Sequence, residues 1–401
     1  MNRFFNWLAA PDSPPTPSAH TPNAMQTERK SGHALVAFHT GGVAAWSAFE
    51  SSGVEEGFCR NPIVYRCVRM ISEAAGSLAV RACEKRVDCD EHPVLDLLAR
   101  PNEKQSRNRF LETLYGHLLI SGNAHVVRIM ADTGVRELHI LDPRKVTPVL
   151  DEAGWPVAYD HQSGALKTRY NSEVGGDILH LALFNPASGV NGLPPLAAAH
   201  MALEIHNAAS NWNKALLDNS ARPSGALVYA AGGNENLSED QFERLKRELE
   251  EGYTGASQAG RPMVLEGGLD WKAMGYSPRD MDFLEAKNGA AREIALAFGV
   301  PPMLLGIPGD NTYSNYQEAN RAFWTQTVLP LAHKTTADLG HWLAETGDRG
   351  ITLRIDTETV PALAQDREAY WNRIGNASFL TDNEKREALG FAPMEGGQND
   401  G

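Results

Sequence analysis

Two long helical segments, Leu196 to Asn219 and about Met281 to Phe298, bracket a small α/β unit in the middle of this chain. A chain that leaves along one helix, builds a separate unit and returns along a second is neither a doubly wound sheet nor a simple bundle. The first helix opens on Pro194-Pro195, which suits a first helical turn, and its alanines 197–199, 202, 208 and 209 make it thin and strongly helix-forming. At 1.5 Å per residue it reaches about 36 Å. The second helix stops at Gly299-Val300-Pro301-Pro302. Between the two, strands are predicted at GALVYA (225–230) and RPMVLE (261–266), flanking a helix from Glu239 to Glu251 with Ser238 and Gln241 as its capping box.

Upstream, Asn61-Pro62 starts a helix whose Ile63, Cys67, Val68, Ile71, Ala75 and Leu78 follow helical spacing. His92 to Arg100 and Arg109 to Ile120 read as two more amphipathic helices, with Ser106 as a cap for the latter. From Asn123 the pattern turns to short β-rich runs, HVVRIM, VRELHIL, KVTPVL, PVAYDH and DILHLALF. Helices first and strands afterwards give an α+β class. Residues 9–24 carry five prolines and few apolar side chains, a composition that reads as a flexible arm.

Downstream of the second long helix, GIPGDNTYSNYQ (306–317) is rich in Gly, Asn and Ser and free of Lys and Arg, so an exposed mobile loop is expected. A third long helix then runs to about Glu345, with a kink expected near Leu329 because Pro330 lacks a backbone donor. A strand at Ile351 to Ile355 and a polar helical tail follow, the last helix starting at Thr381-Asp382-Asn383-Glu384. From Asp356 onward there are nine acidic and four basic residues.

The 401 residues carry 37 Lys+Arg against 50 Asp+Glu, a net charge of −13, which disfavours tight phosphate binding over the whole surface. No apolar run approaches the roughly 18 residues needed to span a bilayer, so no membrane partner is expected. Cys59, Cys67, Cys83 and Cys89 lack zinc-ligand spacing and read as inert thiols in a reducing compartment. A P-loop, a dinucleotide glycine motif, a Gly-x-Ser-x-Gly elbow and a His-Glu-x-x-His helix are absent from the sequence. Its 13 histidines read as core or surface residues rather than ligands, so no metal, cofactor or catalytic residue is expected. Trp212, Trp324, Trp342 and Trp371 sit among apolar neighbours and read as packing residues.

The ordered string of motifs resembles the portal proteins of long-tailed double-stranded DNA phages, the Hong Kong-type family. In sequence order the matching segments are NPIVYRCVRMISEAAGSLAV, HPVLDLLARPN, FLETLYGHLLISGNAHVVRI, ELHILDP, DILHL, GVNGLPPLAAA, VLEGGLDWKAMGYSPRDMDFLE, REIALAFGVPPMLLG and FLTDNEKREALGF with its trailing EGG. They extend over residues 61 to 397. The compact length and short tail also resemble the portal of a gene transfer agent, a phage-derived particle.

That resemblance implies a portal fold. Residues 1–57 would be a flexible arm and 58–193 an α/β wing. Stem helices at 194–220 and 278–305 would flank a clip at 221–277. A tunnel loop would follow at 306–317, a kinked wing helix at 318–346, and a closing strand with a reduced helical crown at 347–401. It implies a ring of twelve copies at one capsid vertex, a phage-like particle assembled in the bacterial cytoplasm. Its partners would be the major capsid protein, a head-tail adaptor, a terminase motor, and DNA that passes without sequence recognition. Asn311, Thr312, Tyr313, Ser314, Asn315 and Tyr316 would face the channel, and Glu243, Arg247 and Glu250 of the clip would meet adaptor and motor. The rival reading is a soluble α+β enzyme with dispersed active-site residues. Particle size separates the two, since an enzyme should be a small oligomer. A DNA-binding protein is the third reading, and the acidic charge with no basic stripe disfavours it.

Overall fold

The computed structural model describes residues 55–84, 87–89, 91–132, 134–218, 225–229, 238–253, 269–273, 283–308, 313–345, 350–389 and 394. The predicted arm at 1–57 falls almost wholly outside these residues, and so does RPMVLE at 261–266.

Helix α1 (Pro62–Ser77) begins as the sequence dictates, with the Asn61 side chain accepting from the Ile63 and Val64 amides at 3.0 and 3.1 Å. Its inward face, Val64, Cys67, Val68, Ile71 and Ala75, is fully buried, largely against α3 (Arg107–Ser121). Small residues set how near the two helices come: a Cβ at Gly76 would lie 3.2 Å from the Asn108 carbonyl oxygen. α2 (Pro93–Ala99) takes His92 as its cap, the imidazole Nδ1 accepting from Val94 N. Ser106 does stand at the N-cap of α3, but its hydroxyl caps no amide.

Strand β1 (Ala79–Glu84) follows α1 without a predicted counterpart in the sequence, because its partner is distant. It pairs antiparallel with β11 (Ile351–Asp356), Ala79 opposite Asp356, and on its other edge with β2 (Val87–Cys89). Arg81 reaches across to Asp356 at 2.8 Å. A second three-stranded sheet has the order β4-β3-β8, from β3 (Asn123–Ala131), β4 (Gly134–Leu141) and β8 (Ile178–Ala182). The third, β5-β6-β7, comprises β5 (Val146–Leu150), β6 (Pro156–Ser163) and β7 (Leu166–Asn171). Val127, Leu141, Tyr159 and Ile178 form a small core between these two sheets.

The first long helix arrives in two pieces, α4 (Pro195–Ala198) and α5 (His200–Asp218). Hydrogen bonding passes through the junction, Ala199 N donating to Pro195 O and Leu203 N to Ala199 O. α5 packs along α7 (Phe283–Ala297), where Trp212 and Phe283 stack at 4.2 Å. Asn219 and Met281–Asp282 of the predicted helices lie outside the described residues.

The third long helix needs one correction. It begins at Tyr313, so the expected loop loses residues 313–317 to α8 (Tyr313–Ala322). Serine, asparagine and tyrosine are only middling helix formers, and continuity with the helix that follows outweighs that preference. Where the kink is expected, a π-helical segment, Phe323–Val328, joins α8 to α9 (Leu329–Ala344). Leu329 N donates to Trp324 O, five residues back. The wider turn accommodates Pro330, which cannot donate to the Gln326 carbonyl and would crowd it in a regular helix. α9 is held in the core by the Tyr115 hydroxyl, 3.0 Å from Thr335 Oγ1.

β9 (Gly225–Tyr229), α6 (Glu239–Tyr253) and β10 (Leu269–Ala273) belong to one compact unit, and all other described elements belong to the second. In the small unit β9 pairs antiparallel with β10, Leu227 opposite Trp271. The Ser238–Gln241 capping box is formed in both directions, at 3.0 and 3.3 Å. α10 (Ala364–Gly375) and α11 (Asp382–Ala388) close the chain, and a second full capping box joins Thr381 and Glu384. All four cysteines are free thiols, and burial pushes Cys67 up to about 12.

Candidate functional site: the loop after α7 and its supports

The segment between α7 and α8 is anchored at its base before it reaches residues 311–317, which carry no charged side chain. Gly299 ends α7 in the left-handed conformation (φ 67°), and Val300 N returns to Ala295 O. Thr327, in the π-helical segment, donates to the Gly299 carbonyl at 2.5 Å, and a Cβ at Gly299 would lie 2.7 Å from the Thr327 hydroxyl. A one-turn 3₁₀ helix, Pro302–Leu305, leads to Gly306 (φ 72°) and the buried Ile307. Arg292 of α7 then donates to the Pro308 carbonyl. The α7 side of the loop is thereby tied at Gly299 to the π-helical segment and at Pro308 to α7.

Asn311 and Thr312 lie outside the described residues. Tyr313 starts α8, and Ser314, Asn315 and Tyr316 occupy its exposed first turns, Tyr316 at 50% exposure. No Lys or Arg occurs from Gly306 until Arg321. That arginine is itself ion-paired, to Asp366 at 2.8 Å and Glu318 at 3.5 Å. The start of α8 therefore presents hydroxyl, amide and phenol groups, with its first cation countered by carboxylates.

Glu243 and Arg247 are exposed on α6, in the other compact unit. Glu250 is on the same helix, and its side chain lies outside the described residues. Glu243 and Arg247 share one face at i,i+4 spacing, and Glu250 lies one turn further on. Sequence reading missed the clamps Arg292, Gly299 and Thr327, because each works through a partner remote in the chain. A glycine followed by two prolines was the one local signal. Among the described residues no group of three or more His, Cys, Asp or Glu is placed to hold a metal ion. None of their helices is long and apolar enough to cross a membrane.

A small unit inserted in the chain between two long helices, followed by a loop without Lys or Arg, is the order of elements expected of the portal class of particle subunit. The phage portal protein family is matched over residues 62–390, and the chain belongs to that family. It is 25% identical over 372 residues to the portal protein of Enterobacteria phage HK97, covering 89% of this chain and 85% of that one. An uncharacterised protein of Rickettsia bellii is 40% identical over 349 residues, 86% of this chain and 90% of the relative. Among solved structures, a chain from the neck of an empty gene transfer agent particle matches with a TM-score of 0.69 at 47% identity, covering 87% of this chain and 96% of that one. A chain from the neck of the native particle with C12 symmetry matches at 0.67 and 48%, over 86% and 94%. The HK97-family phage portal protein from Corynebacterium diphtheriae shares the fold at 15% identity, with a TM-score of 0.53.

Proposed function

We propose that this chain is one sector of a twelve-membered ring at a single capsid vertex, the channel through which double-stranded DNA enters and leaves a gene-transfer-agent-like particle. The observation that carries this reading is the 47–48% identity to neck chains over at least 94% of their length, one of them in a neck with C12 symmetry. By order along the chain, residues 58–193 serve as wing, 194–220 and 278–305 as stem, 221–277 as clip, 306–317 as tunnel loop, 318–346 as kinked wing helix and 347–401 as closing strand and reduced crown. The ring does mechanical rather than catalytic work and seats against the major capsid protein.

Charge supports a low-friction passage. A duplex offers one phosphate charge per about 1.7 Å, so a wall studded with free cations would hold it by many contacts. The neutral start of α8 and the countered Arg321 provide no such grip. Replacing Asn311 and Asn315 with Lys adds two cations per subunit and should lower packaged DNA per particle, or slow its release, by roughly several-fold. Nuclease-protected DNA per purified particle is the measurement. Unchanged packaging and release would remove this segment from the channel wall.

The clip is the surface for the head-tail adaptor and the terminase motor. Its helix α6 carries the exposed Glu243 and Arg247, with Glu250 one turn on. Reversing Glu243 and Glu250 to Lys should weaken adaptor binding about tenfold, and more at low salt, as interface charges do. Affinity unchanged across salt would place the adaptor elsewhere.

A further inference from the structure

Three of the motif segments, SGNAHVV, DILHL and GVNGLPP, converge on one junction. Asn123 Oδ1 accepts from the Gly192 amide at 2.8 Å, which fixes that atom as the oxygen because a backbone N–H can only donate. His180 Nε2 lies 2.9 Å from the same oxygen, so it carries the ring proton. His180 Nδ1 is then the acceptor, and the Tyr159 hydroxyl donates to it at 3.0 Å. Donation thus runs from Tyr159 of β6 through His180 of β8 to Asn123 of β3, and Gly192, three residues before α4 begins, donates to the same oxygen. His125 stacks on His180 at 4.7 Å with the rings 10° apart, and edge-on to Tyr159 at 5.1 Å. The buried His125 Nδ1 meets no hydrogen-bond partner among the described residues.

We propose that His125 and His180 form a proton-operated latch, with Asn123 as positioning residue, that fixes the entry of the α4–α5 helix against the two wing sheets when both rings are neutral. Two stacked imidazoles, His125 buried and His180 half-buried, cannot both accept charge cheaply, and a proton on His180 Nδ1 also removes the acceptor that Tyr159 uses. The surroundings offer little compensation. His117 of α3 adds like charge when protonated, and Lys334 of α9 donates to the Ala182 carbonyl at the end of β8. Asp142 acts on His117 and is held by Arg144 in two charge-assisted bonds.

Burial holds His125 down to about 3 and His180 down to about 4, against an ordinary value of 6.5. The closed latch therefore binds fewer protons than the open one. Its stability is fully present above pH 6.5 and is lost as the pH falls towards 4. For His180 alone, opening at pH 5 should be favoured on the order of 30-fold relative to pH 7.5.

Hydrogen exchange on the full-length protein tests this. After correction for intrinsic rates, the peptide spanning Leu183 to Gly192 should lose tens-fold protection at pH 5 in the wild type. His180→Gln keeps one donor and one acceptor but cannot titrate, so with His125 alone left to titrate its loss of protection at pH 5 should be several-fold smaller than that of the wild type. Should that variant misfold, His125→Phe, which keeps the stacking, should still reduce the pH dependence several-fold. Protection in the wild type that does not change with pH overturns the latch, as does equal acid loss in the variants.

Discussion

Replacing Gly192 with Ala is expected to destabilise the protein by about 3 kcal/mol or more, because a buried steric conflict with rigid backbone has no local relief. The new Cβ would sit 2.0 Å from the Gly122 oxygen and 2.6 Å from Leu183 N, both main-chain atoms. Gly122 faces the same conflict from the other side, with its own left-handed φ of 76° and 2.4 Å to the Gly192 oxygen. Gly189 is the internal control. A Cβ there meets nothing within 4 Å, so Gly189→Ala should stay within about 0.5 kcal/mol of wild type. Urea unfolding of the two variants checks the contrast. A Gly192→Ala midpoint equal to that of Gly189→Ala would mean that the two glycine segments do not meet.

The second large effect is expected at Asn61, which is 1% exposed and does two tasks with one amide. Its oxygen caps α1, while its Nδ2 donates to His206 Nδ1 and Asn207 Oδ1 at 3.0 and 2.8 Å. Those bonds fix His206 with its proton on Nε2. Burial, helped by the Lys287 charge, pushes His206 below its ordinary value and keeps the ring neutral. Asn61→Ala removes the cap, about 1 kcal/mol, and strands a buried ring nitrogen, a further 1–3 kcal/mol or so. Asn61→Ser restores the cap but not the bonds to α5, so it should recover only about 1 kcal/mol. Equal stability of the Ala and Ser variants would show that capping contributes nothing here.

Much of the architecture was legible where the signal is local. Asn61, Ser238 with Gln241, and Thr381 with Glu384 all announce helices through side chain to backbone bonds within three residues, and all three caps are formed. Long-range pairing leaves no such mark. β1 reads as the tail of α1 because its ladder partner lies more than 260 residues away. β7 was missed because an edge strand with Lys167 and Arg169 outward lacks the apolar alternation that identifies strands. The start of α8 was misread because composition describes a segment in isolation, whereas the helix that follows it determines its conformation. At the candidate site the neutral stretch was visible in the sequence, and the clamps beneath it were not. The histidines of β3 and β8 were read as core or surface residues rather than ligands, and His125 is buried while His180 is half-buried. Their stacking requires β3 and β8 to be neighbours, which neither segment encodes alone.

The ladder between β1 and β11 also bears on synthesis. A ribosome must extrude residue 356 before the opening sheet can gain its third strand, so an emerging chain holds an unfinished edge for most of its translation. An unpaired edge is a template for pairing with another chain, so β1 stays exposed to that hazard until nearly the whole polypeptide has been made.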